Sequence, residues 1–284
     1  YIFVRSGTTW SQQAYLKASN AKPTAEFGTS VAVSGETVVV GAVQESSAAT
    51  GVNGDQSACC AGVSGAAYIF VRNGTTWSQQ AYLKASNREV GDVFGWSVAV
   101  SGDTVVVGAY GEDSNATGVN GSQNDNSATN SGAAYVFVRH GTNWSQQAYL
   151  KSSHAGVRRD NGYEFGWSLA VSGDTVVIGA IDEDSNATGV NGNESDNSAT
   201  ASGATYVFTG FVLLPKLALA PDGNVGYFLR FTGVPDVTYR LQRATDVTGP
   251  WDDLATQTAP ASGLVEFHEA SPPFEGAFYR TAQP

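Results

Sequence analysis

The chain repeats itself at a period close to 67 residues, and a period of that length admits few folds. Tyr-(Ile/Val)-Phe-Val-Arg begins at Tyr1, Tyr68 and Tyr135, and a truncated form begins at Tyr206. Phe-Gly recurs at Phe27-Gly28, Phe94-Gly95 and Phe165-Gly166. Four extra residues fall between Lys151 and Phe165, so one connection is lengthened while the strand sequence is kept. Self-similarity of this kind marks an architecture built from one supersecondary unit used several times.

Each unit reads as four short strands. In the copy that starts at Phe94, Trp96 to Val100 leads through Ser101-Gly102-Asp103 to Thr104 to Ala109. A long polar loop follows, then Ala133 to Arg139, a turn at Gly141, and Trp144 to Lys151. Glycine stands where a hairpin turn needs a positive φ. Val98-Ala99-Val100 and Val105-Val106-Val107 are small and apolar, as strands buried on both faces would be. Tyr135, Phe137, Trp144 and Tyr149 put the bulk on the last two strands. Small inner and large outer strands suit a wedge-shaped blade around a central axis.

Phe94-Gly95-Trp96-Ser97-Val98-Ala99-Val100, then Val107-Gly108-Ala109 and Gly132-Ala133-Ala134-Tyr135-Val136-Phe137, resemble the FG-GAP repeat of integrin α-subunit propellers and their bacterial relatives. The resemblance implies a β-propeller, of seven blades in its typical members, with partners bound on the face that carries the strand 2–3 loops. The expected fold is all-β: a partial β-propeller of four-stranded antiparallel blades followed by a small β-sandwich. The propeller part is placed at 1–216, with a partial blade at 1–20 and blades at 27–87, 94–154 and 165–210. Exposed valine-lined faces are expected at one or both ends of such an arc. From 217 to 284 the repeat stops, and five strands punctuated by prolines resemble a fibronectin-III-like module. Trp251, Tyr239 and Phe278 are read there as core aromatics, with a carbohydrate platform as the alternative.

Integrin-type calcium loops lie between strands 1 and 2, where this chain has only Ser34-Gly35-Glu36, Ser101-Gly102-Asp103 or Ser172-Gly173-Asp174. Three residues cannot wrap a cation that takes six to eight oxygens, so those sites are not carried over. The strand 2–3 loops are the calcium candidates instead. Asp113, Asn115 and Thr117, and again Asp184, Asn186 and Thr188, place oxygen ligands at positions 1, 3 and 5 before a glycine. Ser46 replaces the opening acid in the copy at 27–87, which is expected not to bind. The alternative is that these loops pair with their own backbone as Asx turns.

Trp96 and Trp167 follow Phe-Gly at the start of a strand, near the expected binding face, and are the contact candidates; Thr29 takes their place in the earlier copy. Trp10, Trp77 and Trp144 each precede Ser-Gln-Gln-Ala-Tyr-Leu-Lys and are read as packing. His140, His154 and His268 occupy no repeated position, have no recurring acid partner and are read as surface histidines. Cys59 and Cys60 read as loop substitutions, a vicinal disulfide being the strained alternative. Arg158-Arg159-Asp160 reads as a solvated loop.

A net charge of −11 argues against nucleic acid, which needs a basic face. No apolar run reaches the roughly 20 residues that cross a bilayer; Pro215 and Lys216 break the nearest, Phe211 to Ala220. The chain has no Met and opens inside a repeat, so it is expected to be part of a longer protein whose remaining blades are its partners. No catalytic motif is present. The expected function is a non-catalytic extracellular or cell-surface binding and adhesion module for a protein or glycan. The alternatives are a structural stalk or spacer, and an accessory part of a secreted propeller enzyme.

Overall fold

A computed structural model describes residues 1–57, 62–154, 162–210, 217–224, 226–232, 238–246, 248–260, 264–270, 272 and 276–282. Cys59, Cys60 and Arg158-Arg159-Asp160 lie outside the described residues. The chain divides into two compact units, Tyr1–Phe211 and Val212–Pro284.

The first unit is built wholly of antiparallel strands. A hairpin, β1 (Ile2–Ser6) and β2 (Thr9–Ala14), precedes a four-stranded sheet of β3 (Phe27–Ser34), β4 (Thr37–Ala42), β5 (Ala66–Asn73) and β6 (Thr76–Leu83). A second four-stranded sheet holds β7 (Ser97–Ser101), β8 (Thr104–Ala109), β9 (Ala133–His140) and β10 (Asn143–Leu150). A third, of β11 (Phe165–Ser172), β12 (Thr175–Ala180) and β13 (Ala204–Phe208), has three strands. Strand order follows the sequence in each, and β3 neighbours β7 as β7 neighbours β11, so the sheets stack as successive blades. Among the described residues no helix is long and apolar enough to cross a membrane.

The small strands do go inside. β4 and β8, Thr-Val-Val-Val-Gly-Ala in both, are buried along their whole length. Inner strands come very close from blade to blade. A Cβ on Gly41 would collide with the Gly95 carbonyl oxygen, and one on Gly108 with that of Gly166. Those carbonyls accept Ser30 Oγ and Ser97 Oγ at 2.7 Å. The repeated Phe-Gly and Gly-Ala pairs are thus the two sides of one blade-to-blade contact.

Two of the three outer tryptophans clamp blades, as expected, while Trp10 is exposed instead of packed. Trp77 Nε1 donates to Gln13 at 2.9 Å and Trp144 Nε1 to Gln80 at 2.7 Å, each glutamine belonging to the outer strand before it. At the ends of the stack the apolar positions come to the surface: Val31 and Val33 on β3 and Val207 on β13 are exposed. Their counterparts Val98, Val100, Ile69 and Val136 are buried.

The second unit holds β14 (Ala218–Pro221), β15 (Tyr227–Thr232) and β18 (Leu264–Glu269) in one sheet, and β16 (Thr238–Ala244), β17 (Asp252–Thr258) and β19 (Phe278–Ala282) in another. Leu229, Phe231, Val265 and Phe267 of the first meet Tyr239 and Leu241 of the second in a single small core. One expectation needs correction. Tyr239 is core, but Phe278 is exposed and Trp251 is only half-buried, with the Arg280 guanidinium 4.2 Å from its ring centre. His268 is a surface histidine, with Asp222 2.9 Å away, whose carboxyl that hydrogen bond holds low. β14, whose four residues offer no pattern to find, is the added strand.

Candidate functional site

Antiparallel pairing brings the start of each first strand beside the end of the second, since Ser97 faces Gly108 across β7 and β8. Everything at that end shares a face with the strand 2–3 loop that leaves it. Trp96 precedes β7, Tyr110 follows β8, and Trp167 lies in β11 of the next blade. Their rings form a closed triangle: Trp96 to Tyr110 4.8 Å, Trp96 to Trp167 4.9 Å, Tyr110 to Trp167 4.9 Å between centres. All three are half-buried. Mutual tilts of 52–75° are those that aromatic quadrupoles favour. Burial, and then the nearby Glu164 carboxylate, push the Tyr110 phenol above its ordinary range. The structure therefore joins both sequence-chosen tryptophans and adds Tyr110. No sequence rule selected Tyr110, because the aligned residues are Val43 and Ile181.

The loops beyond are closed by their own hydrogen bonds. Asp113 accepts the Asn130 N–H at 2.8 Å on its side chain and the Ala128 N–H at 2.9 Å on its carbonyl. Asp184 does the same with Ala201 and Ala199, at 2.7 and 2.8 Å. The Asp125 and Asp196 carboxyls lie low because Ser127 and Ser198 donate to them, with a smaller pull from the exposed Asn115 and Asn186. Thr117 and Thr188 are exposed. Each loop is pinned at its base by these long-range bonds, and Asp125 and Asp196 close Asx turns by accepting the Ser127 and Ser198 N–H, both at 2.8 Å. Among the described residues no three His, Cys, Asp or Glu side chains gather to hold a metal. As folded, one carboxylate oxygen and the carbonyl of Asp113 and of Asp184 each accept a backbone N–H, where a calcium ion takes six to eight oxygens.

One residue before the candidate aspartates sits an acid that the spacing argument passed over. Glu45 and Glu112 are buried, and each receives a buried lysine from its own outer strand, Lys84 at 3.0 Å and Lys151 at 2.7 Å. The lysines also donate to Ser64 and Ser131 at 2.7 and 2.6 Å. Asn20 and Asn87 of the preceding blade donate to Glu45 and Glu112 at 3.0 and 2.7 Å. Tyr82 donates to Glu45 at 2.9 Å and contacts Ser47; Tyr149 contacts Ser114 in the same way. Burial drives Lys84 down to about 8 against the pull of Glu45, and drives Lys151 down as well. The same burial pushes both tyrosines far up. This network fastens the loop to the outer-strand end and so fixes the base of the loop-bearing face. Its signal was in the sequence: Glu45, Glu112 and Glu183 stand in every copy, as do Lys17, Lys84 and Lys151.

Against known proteins, the FG-GAP repeat family matches residues 10–70, 77–137 and 144–208. No curated protein matches the chain.

Proposed function

The chain belongs to the FG-GAP repeat family, and from that premise we propose that it is a non-catalytic binding module of an extracellular or cell-surface protein. The observation that carries this is the Trp96–Tyr110–Trp167 triangle on the loop face. Repeats that agree in their strands differ at the two aligned positions involved: Trp96 and Trp167 against Thr29, and Tyr110 against Val43 and Ile181. Strands keep the blade, while differing residues on a loop-bearing face serve recognition. Half-exposed tryptophan and tyrosine supply a large apolar area at low entropic cost, with an indole N–H or phenol O–H at the rim. Such a triangle takes an apolar side chain of a protein partner or the C–H face of a sugar ring. The loops beside it, rigid through Asp113 and Asp184, frame the contact.

Titrating the protein with a panel of glycans and extracellular proteins, read by tryptophan fluorescence, tests this. A bound ligand is expected to shift the emission. Trp96→Ala and Trp167→Ala are expected to weaken its binding at least tenfold each, in line with aromatic hot spots, with melting temperature little changed. Unaltered affinity in both variants would remove the triangle from the binding site.

A further inference from the structure

The buried polar network holds an amine and an amide on one shared carboxylate, and does so twice. Lys84, directly after β6, is fully buried and places Nζ 3.0 Å from Glu45 Oε2. Asn20, in the connection that leads into this blade, donates from Nδ2 to the other oxygen, Oε1, also at 3.0 Å. The next blade repeats the arrangement atom for atom. Lys151 Nζ lies 2.7 Å from Glu112 Oε2, and Asn87 Nδ2 lies 2.7 Å from Glu112 Oε1. A tyrosine holds the amide oxygen in each case: Tyr68 of β5 donates to Asn20 Oδ1 and Tyr135 of β9 to Asn87 Oδ1, both at 2.6 Å.

These are the parts of an acyl transfer: a nucleophile, a proton carrier between nucleophile and leaving group, and a donor at the carbonyl oxygen. Burial drives Lys84 down to about 8 and lowers Lys151 as well, so a share of neutral amine exists close to neutral pH. Burial also pushes the Tyr68 and Tyr135 phenols up, which keeps them protonated as donors. The fold holds amine and amide together for as long as it lasts, and such proximity is what slow amide chemistry requires.

We propose that Lys84 with Asn20, and Lys151 with Asn87, join as amide cross-links between the outer strand of a blade and the connection before it. Glu45 takes a proton from the Lys84 ammonium, and the freed lone pair attacks Asn20 Cγ to form the Nζ–Cγ bond. The Tyr68 hydroxyl meets the charge that gathers on Oδ1. Glu45 gives its proton to Nδ2, the Cγ–Nδ2 bond breaks, and ammonia leaves. The surplus proton on Nζ passes through Glu45 to that ammonia. One ammonium group and one primary amide become one secondary amide and one ammonium ion, with the carboxylate restored and nothing oxidised or reduced. Glu112 and Tyr135 serve Lys151 and Asn87 in the same way. The third blade is a natural control: Glu183 is buried too, but His154 stands where the others have asparagine, and among the described residues no lysine meets the carboxylate. The cross-links need no ligand and stand separately from the binding role proposed above.

Mass spectrometry of the chain, incubated folded at about pH 8 and then denatured, tests this. The intact mass is expected to fall short of the sequence mass by two molecules of ammonia. Trypsin is expected to leave Lys84 and Lys151 uncut and to release branched peptides that join Lys84 to Asn20 and Lys151 to Asn87. Asn20→Ala is expected to lose the first branch and keep the second. Glu45→Gln is expected to form the first branch at least about a hundredfold more slowly and the second at the parent's rate. An intact mass equal to that of the sequence would overturn the proposal. So would a loss of ammonia that leaves every peptide linear, because imide formation at an Asn-Gly step such as Asn53-Gly54 accounts for that.

Discussion

The second and third blades share almost all their strand sequence and differ, among the described residues, in whether an outer strand is present. In the second, Glu112 sits under Lys151, Tyr149 and Asn87, and the tyrosine, lysine and glutamate are all buried. In the third, Glu183 is equally buried but is met by Ser185 in place of a lysine. The Tyr206 hydroxyl also lacks the asparagine that serves Tyr68 and Tyr135, because His154 stands where they have Asn20 and Asn87. The same inner residues therefore make a finished polar core in one blade and an acceptor in the other. The difference lies in what the fourth strand brings: one cation and one set of backbone donors.

The largest expected effect separates the two blades at that cation. Lys151→Met leaves Glu112 charged and buried without its partner, and urea denaturation is expected to show a loss of about 3–5 kcal/mol. Glu183→Gln removes a carboxylate that no cation meets among the described residues, and is expected to leave stability unchanged or higher. Equal losses in both would mean that the lysine contributes by packing alone.

Next comes the blade-to-blade contact. Gly108→Ala drives a methyl group into the Gly166 backbone, whereas at Gly179 only the Ser168 hydroxyl is close and can turn away. Calorimetry is expected to show a cost of about 1–3 kcal/mol at Gly108 and well under half of that at Gly179.

The joins between blades differ as well. Asp92 is buried where the next join has Tyr163. Burial first, and then Glu112 and Asp113 against a hydrogen bond from Glu89, raise its carboxyl to about 7 from 3.8. Between those values the folded chain keeps a proton that the unfolded chain has lost, so Asp92 lowers stability progressively as pH rises from about 4 to about 7. Each tenfold change in proton affinity is worth roughly 1.4 kcal/mol, and relaxation of the site discounts the sum. Asp92→Asn is therefore expected to match the parent near pH 4 and to exceed it by about 1–3 kcal/mol above pH 7 in urea denaturation. A gain that does not change with pH would assign the effect to packing.

The smallest expected effect is that of calcium. With Asp113 and Asp184 engaged by Asn130 and Ala201, melting temperatures in millimolar calcium and in chelator are expected to coincide. A calcium-dependent rise that Asp113→Ala abolishes would show that the loops open to take a cation.

Periodicity carried most of this fold. A repeat of Tyr-Val-Phe and Phe-Gly at nearly constant spacing can be satisfied only by identical strands stacked in order, and hairpin glycines mark where each strand ends. The inner and outer strands, the packing role of Trp77 and Trp144 and the exposed valines were all legible, because burial within a blade depends on residues close in the sequence. Trp96 and Trp167 were legible as neighbours of the loop face by their place after Phe-Gly. Their meeting with Tyr110 was not, since it depends on how far one blade turns against the next. Nor was the pairing of Glu112 with Lys151, 39 residues apart, although each recurs in every copy where its segment exists. Oxygen-rich spacing at Asp113 and Asp184 suggested a metal; that backbone N–H groups 17 residues downstream donate to one oxygen of each was not legible from that spacing. Local pattern decides which residues face inward, but which inward polar groups find each other is settled only when the sheets close on one another.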